Sequence, residues 1–285
     1  MIMIRSVVRY GYVPFMLLGV NGSAIALASL GFGELCMVAV IVVAVLCSFG
    51  AERLLPYAPD WNVAQSDAGR DTAHSFVNES LILLSVAVLP ALAAVNPLDG
   101  HWPSALPFVA QVLMSILVAD LGITLVHLAS HKVGWMWRFH SVHHSVTRFY
   151  GLNGLMKHPV HQSLEMAGGV LPLILLGIPV PVASVLATCV AVQLLLQHSN
   201  VDYSVGVLGR VLALNRGHRF HHLKWAGVGD VNFGLFTLIW DHLLGTYSFD
   251  PERRFVSADL GMAAEPNYPT RYFAQLAEPF RRSAS

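Results

Sequence analysis

Six apolar runs alternate with short polar stretches along this chain. They occupy residues 13–31, 34–50, 76–95, 106–127, 164–178 and 182–197. The third and fourth runs have about the 20 residues that a helix needs to cross the hydrocarbon core of a bilayer. The other four are shorter or interrupted, and they fit hairpins that just cross the membrane as well as hairpins that re-enter it. The pattern therefore predicts an all-α fold, a polytopic bundle of membrane helices.

The composition supports a membrane protein. Hydrophobic residues make up 55% of the 285 residues and charged residues only 12%, whereas a soluble domain has about 45–50% and about 25%. Lysine plus arginine number 17 and aspartate plus glutamate also number 17, so the formal net charge is zero. This balance disfavours a soluble enzyme and a nucleic-acid partner.

The basic residues predict the orientation in the membrane. If the six runs are crossings and the N-terminus is cytoplasmic, all 17 basic residues fall in cytoplasmic stretches. Positive residues concentrate on the cytoplasmic side of membrane proteins. We therefore expect one multi-pass membrane domain over residues 1–285, with both termini in the cytoplasm. Residues 1–119 would form membrane helices, residues 120–250 a histidine-rich catalytic region in a cytoplasmic helical cap, and residues 251–285 a cytoplasmic tail.

Histidines are concentrated in the second half of the chain, where the pattern H-x-x-H-H occurs twice and H-x-x-x-H once. Positions i, i+3 and i+4 share one helical face, so each motif directs imidazoles into a common space. Adjacent histidines diverge by about 100° on a helix, which suits two neighbouring metals better than one. Imidazole is a ligand for zinc, iron, copper and nickel. The predicted metal ligands are His127, His131, His140, His143, His144, His218, His221 and His222.

The sequence leaves the roles of several other polar residues open. Asp120 lies in an apolar run two helical turns before His127, so it could orient a ligand imidazole or form a structural bond between helices. His158 and His161 lie within the range of the cluster but outside its doublets. Asp202 could be a ligand, a neighbour of one, or a surface residue. We expect the remaining histidines to lie outside the site; these are His74, His101 and His242.

The order of motifs over residues 120–247 resembles the fatty acid hydroxylase superfamily, especially its sterol desaturase-like members. The motifs are W-R-F-H-S-V-H-H-S at 137–145, H-P at 158–159, Q-H-S-N at 197–200, H-R-F-H-H at 218–222, D-V-N-F-G at 230–234 and G-T-Y at 245–247. This resemblance implies a helical membrane protein whose cytoplasmic cap holds a dimetal site, with His198 as a ninth ligand. It also implies two iron ions, with zinc possible in the same cage, and O2 as co-substrate.

The resulting hypothesis is an oxidoreductase that hydroxylates or desaturates a C–H bond of a sterol-like, fatty-acyl or alkyl membrane lipid. The sequence carries no haem-binding domain, flavin fingerprint or iron–sulfur cysteines, so electrons would come from a ferredoxin or cytochrome b5 type of protein. One alternative is a metal transporter, which would place its ligands near the membrane midplane. Another is a zinc-dependent membrane hydrolase, which usually has a catalytic carboxylate beside its histidines.

Overall fold

The computed structural model describes residues 2–96 and 100–281. Within these ranges the secondary structure is helical, and β-pairing is limited to two isolated bridges, Pro56 with Val201 and Leu212 with Thr237. The predicted all-α fold is therefore confirmed. Parts of the predicted loop 96–105 and of the predicted tail, residues 97–99 and 282–285, lie outside the described residues.

Thirteen α-helices follow one another along the described chain. They are α1 (Ile2–Pro14), α2 (Asn21–Ser29), α3 (Glu34–Leu54), α4 (Ala68–Ala87), α5 (Leu89–Ala93), α6 (Phe108–Lys132), α7 (Gly134–His144), α8 (Pro159–Gly169), α9 (Leu171–Leu175), α10 (Val180–His198), α11 (Asn215–His221), α12 (Ile239–Leu244) and α13 (Tyr272–Ala277). A π-helical segment, Phe15–Val20, joins α1 to α2. The 3₁₀ turns are Pro59–Asn62, Gly151–Leu155, Gly206–Arg210, Ser257–Asp259 and Glu278–Phe280.

Four helical segments of the described chain are long and apolar enough to cross a membrane, which supports a membrane protein. They are Ile2–Ser29, Glu34–Leu54, Phe108–Lys132 and Val180–His198. The other two of the six predicted crossings are not single long helices in the described chain. The other two runs are divided between α4 and α5 and between α8 and α9, with Pro90 and Pro172 in the first turns of the second helices. Proline lacks the N–H that would continue the preceding helix, so it fits only a first turn.

Helix α10 is the centre of the bundle. Its most apolar stretch is 78% buried, against 28–39% in the other three candidate spans. It packs against α2, α3, α6 and the 3₁₀ turn Gly151–Leu155. The outer helices instead expose large apolar side chains, such as Leu35 and Leu46 of α3, as expected of surfaces that face lipid.

Helices α6 and α8 approach each other closely at Gly122. A Cβ atom at this position would lie 2.1 Å from the carbonyl oxygen of Gly168. Small residues allow such close approach between membrane helices. The contact brings the polar residues of α8 against the half of α6 that carries His127.

The two ends of the helical bundle carry different parts of the chain. The start of α1 lies near the end of α10, because Ser204 N donates to Arg9 O over 2.9 Å. The described part of the tail reaches the same end, where Gln275 Nε2 donates to Ser145 Oγ. At the opposite end Asn96 Nδ2 donates to Ile174 O over 3.0 Å. The first helix therefore begins, and the tail packs, at the end where α6 and α10 place their histidines; we call this the histidine end.

Candidate metal centre

All nine predicted histidines come together, in two groups. In each group the candidate donor atoms lie within 4.8 Å of one another. The first group contains His127, His131, His140, His144 and His221, and the second contains His143, His198, His218 and His222. Eight of the nine are buried, and His131 is half-buried. The two groups are the only clusters of this kind among the described residues.

The helices divide the doublets as their geometry requires. Adjacent residues point in different directions on a helix, whereas residues four apart share a face. Accordingly His143 and His144 belong to different groups, and so do His221 and His222. The arrangement is that of two neighbouring sites, which the spacing of the motifs predicts.

The ring nitrogens that face each other are close. In the first group the Nε2 atom of His127 lies 2.8 Å from that of His221 and 3.1 Å from that of His140. In the second group His218 Nε2 lies 3.1 Å from His198 Nε2 and 3.2 Å from His222 Nε2. A neutral imidazole has one N–H donor and one lone pair, so the tautomers decide whether these contacts attract or repel.

Backbone carbonyls determine three of the tautomers. The bonds join His127 Nδ1 to Phe233 O at 2.8 Å, His221 Nδ1 to Val231 O at 2.9 Å and His143 Nδ1 to Met156 O at 2.9 Å. A carbonyl oxygen only accepts, so each Nδ1 carries the proton and each Nε2 directs a lone pair into its group. In the first group two such lone pairs, those of His127 and His221, face each other at 2.8 Å. They repel unless a cation lies between them.

Side chains orient two further histidines. One carboxylate oxygen of Asp230 accepts from His131 Nδ1 over 2.9 Å, and the other accepts from Lys132 Nζ over 2.9 Å. These hydrogen bonds and charges hold the pKa of Asp230 well below its ordinary value. Asn153 Oδ1 accepts from His198 Nδ1 over 2.8 Å. Both contacts match the usual support of a metal-ligating imidazole by an outer hydrogen bond.

The environment keeps the imidazoles neutral. Burial, and after it the positive charge of Lys157, lowers the pKa of His143 to about 3. Burial first and neighbouring histidines second hold the pKa values of His144 and His222 well below the usual value. Neutral imidazole is the form that binds metal, so the groups are ready to bind a cation at pH 7.

Asp120 does not contact an imidazole, contrary to one of the two predicted roles. Its carboxylate is buried and accepts from the backbone of residues 235–237 and from side chains on residues 237 and 240. The donors are Leu235 N, Phe236 N, Thr237 N, Thr237 Oγ1 and Trp240 Nε1, at 2.7–3.1 Å. The other predicted role, a bond between helices, is present, because Trp240 of α12 donates to Asp120 of α6 over 3.1 Å. The remaining donors anchor the loop that precedes α12 to α6. That loop begins beside Phe233, whose carbonyl accepts from His127.

The residues left undecided by the sequence lie outside both groups. His161 is buried, with its Nε2 3.0 Å from Ser130 Oγ and its ring centroid 4.3 Å from that of His140. His158 is the N-cap of α8, where its Nδ1 accepts from Val160 N. Asp202 pairs with Arg9 at 2.7 Å.

The three histidines predicted to lie outside the site also belong to neither group. His74 is buried and bonded to Gln275, and His101 is exposed. His242 stacks on Tyr247.

Some residues of the site are not evident from the motifs. Phe149 stacks on His198 with ring centroids 4.5 Å apart and an angle of 10°. Lys157 and Glu165 form a buried ion pair beside the histidines. In the sequence, the ion pair could have been suspected only from Glu165, a carboxylate near the start of the apolar run 164–178.

Cavities approach the histidines from two directions. A surface opening of about 320 Å³ reaches His131, His144 and His221 from the histidine end. A small inner cavity of about 10 Å³ touches His127, His140, His143 and His218 from the membrane side. An apolar outer cavity of about 60 Å³ lies beyond it among α4, α6, α8, α9 and α10.

Comparison with known proteins gives concordant matches. The family model described as fatty acid hydroxylase matches residues 112–246. The chain is 34% identical over 249 residues to ornithine lipid hydroxylase OlsE of Rhizobium tropici, covering 84% of this chain and 73% of that protein. It is 29% identical over 160 residues to alkylglycerol monooxygenase of Danio rerio, and 30% over 142 residues to that of Homo sapiens.

The alkylglycerol monooxygenase matches are partial. They cover 55% and 49% of this chain, but only 33% and 31% of the fish and human proteins. No solved structure matches the chain significantly.

Proposed function

Because this chain belongs to the fatty acid hydroxylase family, we propose that its two histidine groups hold a pair of iron ions, with which it hydroxylates or desaturates a C–H bond of a membrane lipid using O2. The observation that carries this proposal is the division of nine buried or half-buried histidines into two adjacent groups. The relatives named as lipid hydroxylase and alkylglycerol monooxygenase support an oxidoreductase that acts on lipid.

The residues present fit such ions. His127 and His221 point lone pairs at each other over 2.8 Å while their Nδ1 atoms donate outward, an arrangement that a divalent cation stabilises. The first ion would be held by the five histidines of the first group and the second by the four of the second, with Asp230 and Asn153 orienting ligands from outside. Zinc could occupy the same imidazoles, but iron supplies the redox chemistry that makes O2 reactive towards a C–H bond.

The chain's own residues orient the lipid and exclude water. The inner cavity is lined on its membrane side by Ile123, Leu194 and Leu235. Its volume of about 10 Å³ is near the smallest that holds one water molecule. A lipid chain that enters from the apolar outer cavity would therefore meet the histidines in a nearly dry space, which protects reactive species from side reactions with water.

The electrons come from a separate protein in this proposal. Hydroxylation consumes one O2, two electrons and two protons, and releases one alcohol and one water. Desaturation also consumes one O2, two electrons and two protons, and it releases one alkene and two waters. Within these 285 residues no haem, flavin or iron–sulfur motif is evident, which supports an external donor of the ferredoxin or cytochrome b5 type.

The histidine end is cytoplasmic in this proposal, together with the active site and both termini. The support is the distribution of the 17 basic residues: none lies in the sequence stretches 30–33, 96–107 and 176–179, which this orientation places outside the cytoplasm. Topology reporters fused after His101 and after Ser285 test it. A cytoplasmic signal after His101, or an external signal after Ser285, would contradict this orientation.

The reaction is tested with iron-loaded protein, a chemical or enzymatic reductant, membrane lipid extract and ¹⁸O2, followed by mass spectrometry. A hydroxylated lipid should carry one ¹⁸O atom, and a desaturated lipid should lose two hydrogens and retain no label. The matched control is the His143→Ala protein, which lacks one proposed ligand. Absence of either product across sterol, acyl and ether lipids, with both metals bound, would refute the proposal.

A further inference from the structure

A buried ion pair stands where the lipid cavity meets the histidines. Lys157 Nζ donates to a carboxylate oxygen of Glu165, and the side chains are only 6% and 5% exposed. Both residues line the apolar outer cavity and also the inner cavity that touches the histidines. Ile123 and Leu235 are the other two residues common to both linings. The pair is therefore part of the wall between the two spaces.

The pair is the only charged element of the outer cavity among the residues that line it. Ser85 and Gln162 are the other polar side chains there, and the rest are aliphatic or methionine side chains such as Val86, Leu186 and Met166. A hydrocarbon chain in this cavity would meet charge at one point only, immediately before the histidines. The position of the pair along the path is therefore suited to detect one polar atom of a lipid.

A net gain in stability is not expected from the pair. Two buried charges are costly to desolvate, and well-packed apolar residues in their place are often neutral or stabilising. The local backbone also has its own support, because the carbonyl oxygen of Lys157 accepts from His74 Nδ1 and Asn78 Nδ2 at 3.1 and 3.0 Å. The ammonium itself donates a hydrogen bond only to Glu165 among the described residues, whereas it has three N–H groups to donate.

We infer that Lys157, held by Glu165, is a positioning residue that donates a hydrogen bond to an oxygen atom of the lipid, and so selects lipids with such an oxygen close to the carbon that is oxidised. This inference rests on the proposed function and narrows its substrate class. The recognised chemistry is an acceptor oxygen on an otherwise apolar chain. An ether oxygen and an amide carbonyl both supply it.

Binding is measured with metal-loaded protein and three radiolabelled probes of equal chain length: 1-O-hexadecylglycerol, N-hexadecanoylornithine and hexadecane. The test variant is the double substitution Lys157→Met and Glu165→Met. The double change is used because removing one partner alone would leave the other charge buried and unpaired. Lys224→Met, which removes an ammonium at the surface opening, is the matched control.

Wild-type protein should bind one or both oxygen-bearing probes more tightly than hexadecane. The double variant should lose roughly ten- to a hundredfold of that preference, the size expected for a hydrogen bond from a charged donor. It should keep its affinity for hexadecane and its metal content, and Lys224→Met should behave as wild type. If affinity falls only for the ether probe or only for the amide probe, the result identifies the oxygen to which Lys157 donates.

The inference is overturned if the double variant keeps the full preference, or if it loses affinity for all three probes equally, since the pair would then only support the fold. Where turnover is observed, the oxidised carbon should also become less uniform in the double variant. The binding measurement requires no product, so failure of the inference and failure of the proposed reaction are distinguishable.

Discussion

Asp230 offers the sharpest test of how the first histidine group holds a metal. Its carboxylate accepts from His131 Nδ1 over 2.9 Å and from Lys132 Nζ over 2.9 Å, and its side chain is 24% exposed. Asp230→Ala removes the acceptor and the charge together. Asp230→Asn removes the charge but retains an oxygen that can accept from His131.

The expected magnitude follows from this contact. Losing the outer partner of a ligating histidine typically costs 10- to 100-fold in metal affinity, which is about 1.4–2.8 kcal/mol. Asp230→Ala should reach this range for one of the two metals, because only the first group contains His131. Asp230→Asn should show a smaller loss, and the second group should keep its metal in both variants.

The assay is metal content per chain, measured against increasing chelator concentration. Asp202→Ala is the matched control, since it removes another aspartate from an ion pair, that with Arg9, without contact to a histidine. A chelator curve for Asp230→Ala that coincides with that of the control would refute the reasoning. So would parallel loss of both metals.

Two further predictions concern ligands and stability. His143→Ala and His221→Ala should each lose close to one metal per chain together with turnover while the protein still inserts, whereas His101→Ala should retain both metals, as elemental analysis would show. Asp67→Ala should destabilise the fold by about 3–5 kcal/mol in detergent unfolding experiments, because it leaves buried Arg148 without its partner at 2.6 Å; an unchanged midpoint would contradict this. Burial raises the pKa of Asp67, but its bonds to Arg148 outweigh this effect and hold the pKa below its ordinary value, so the contribution should be complete above about pH 4 and lost as the pH falls through the lower folded value.

The histidine groups could be predicted because they depend on local geometry. Within α7, the adjacent residues His143 and His144 point in different directions, whatever the rest of the chain does. The spacing of the motifs therefore predicts that the histidines divide into two groups. Their assembly from distant segments required the shared end of the membrane helices, which the distribution of basic residues indicated.

The role of Asp120 could not be predicted in the same way. Its helical position correctly places it on the face of α6 that carries His127, but its partners lie more than a hundred residues later, at Leu235 to Trp240. Whether a buried carboxylate meets an imidazole or a row of amide groups depends on the path of that loop. The pattern of hydrophobic residues does not predict the path of this loop.

The apolar runs were predicted well where they are continuous and poorly where a proline divides them. Run 182–197 forms most of α10, and run 106–127 forms most of α6. Run 76–95 contains Pro90, and the helix ends before it. A count of apolar residues does not show that the proline cannot donate the backbone hydrogen bond that would continue the helix.

The backbone acceptors behind His127, His143 and His221 have a consequence for how such a site diverges. Every amino acid has a carbonyl oxygen, so the residues at 156, 231 and 233 can change identity while these three tautomers are preserved. Homologous chains can therefore share the same cage with little identity around it. At these three positions the site depends on the course of the main chain, whereas the outer partners Asn153 and Asp230 act through their side chains.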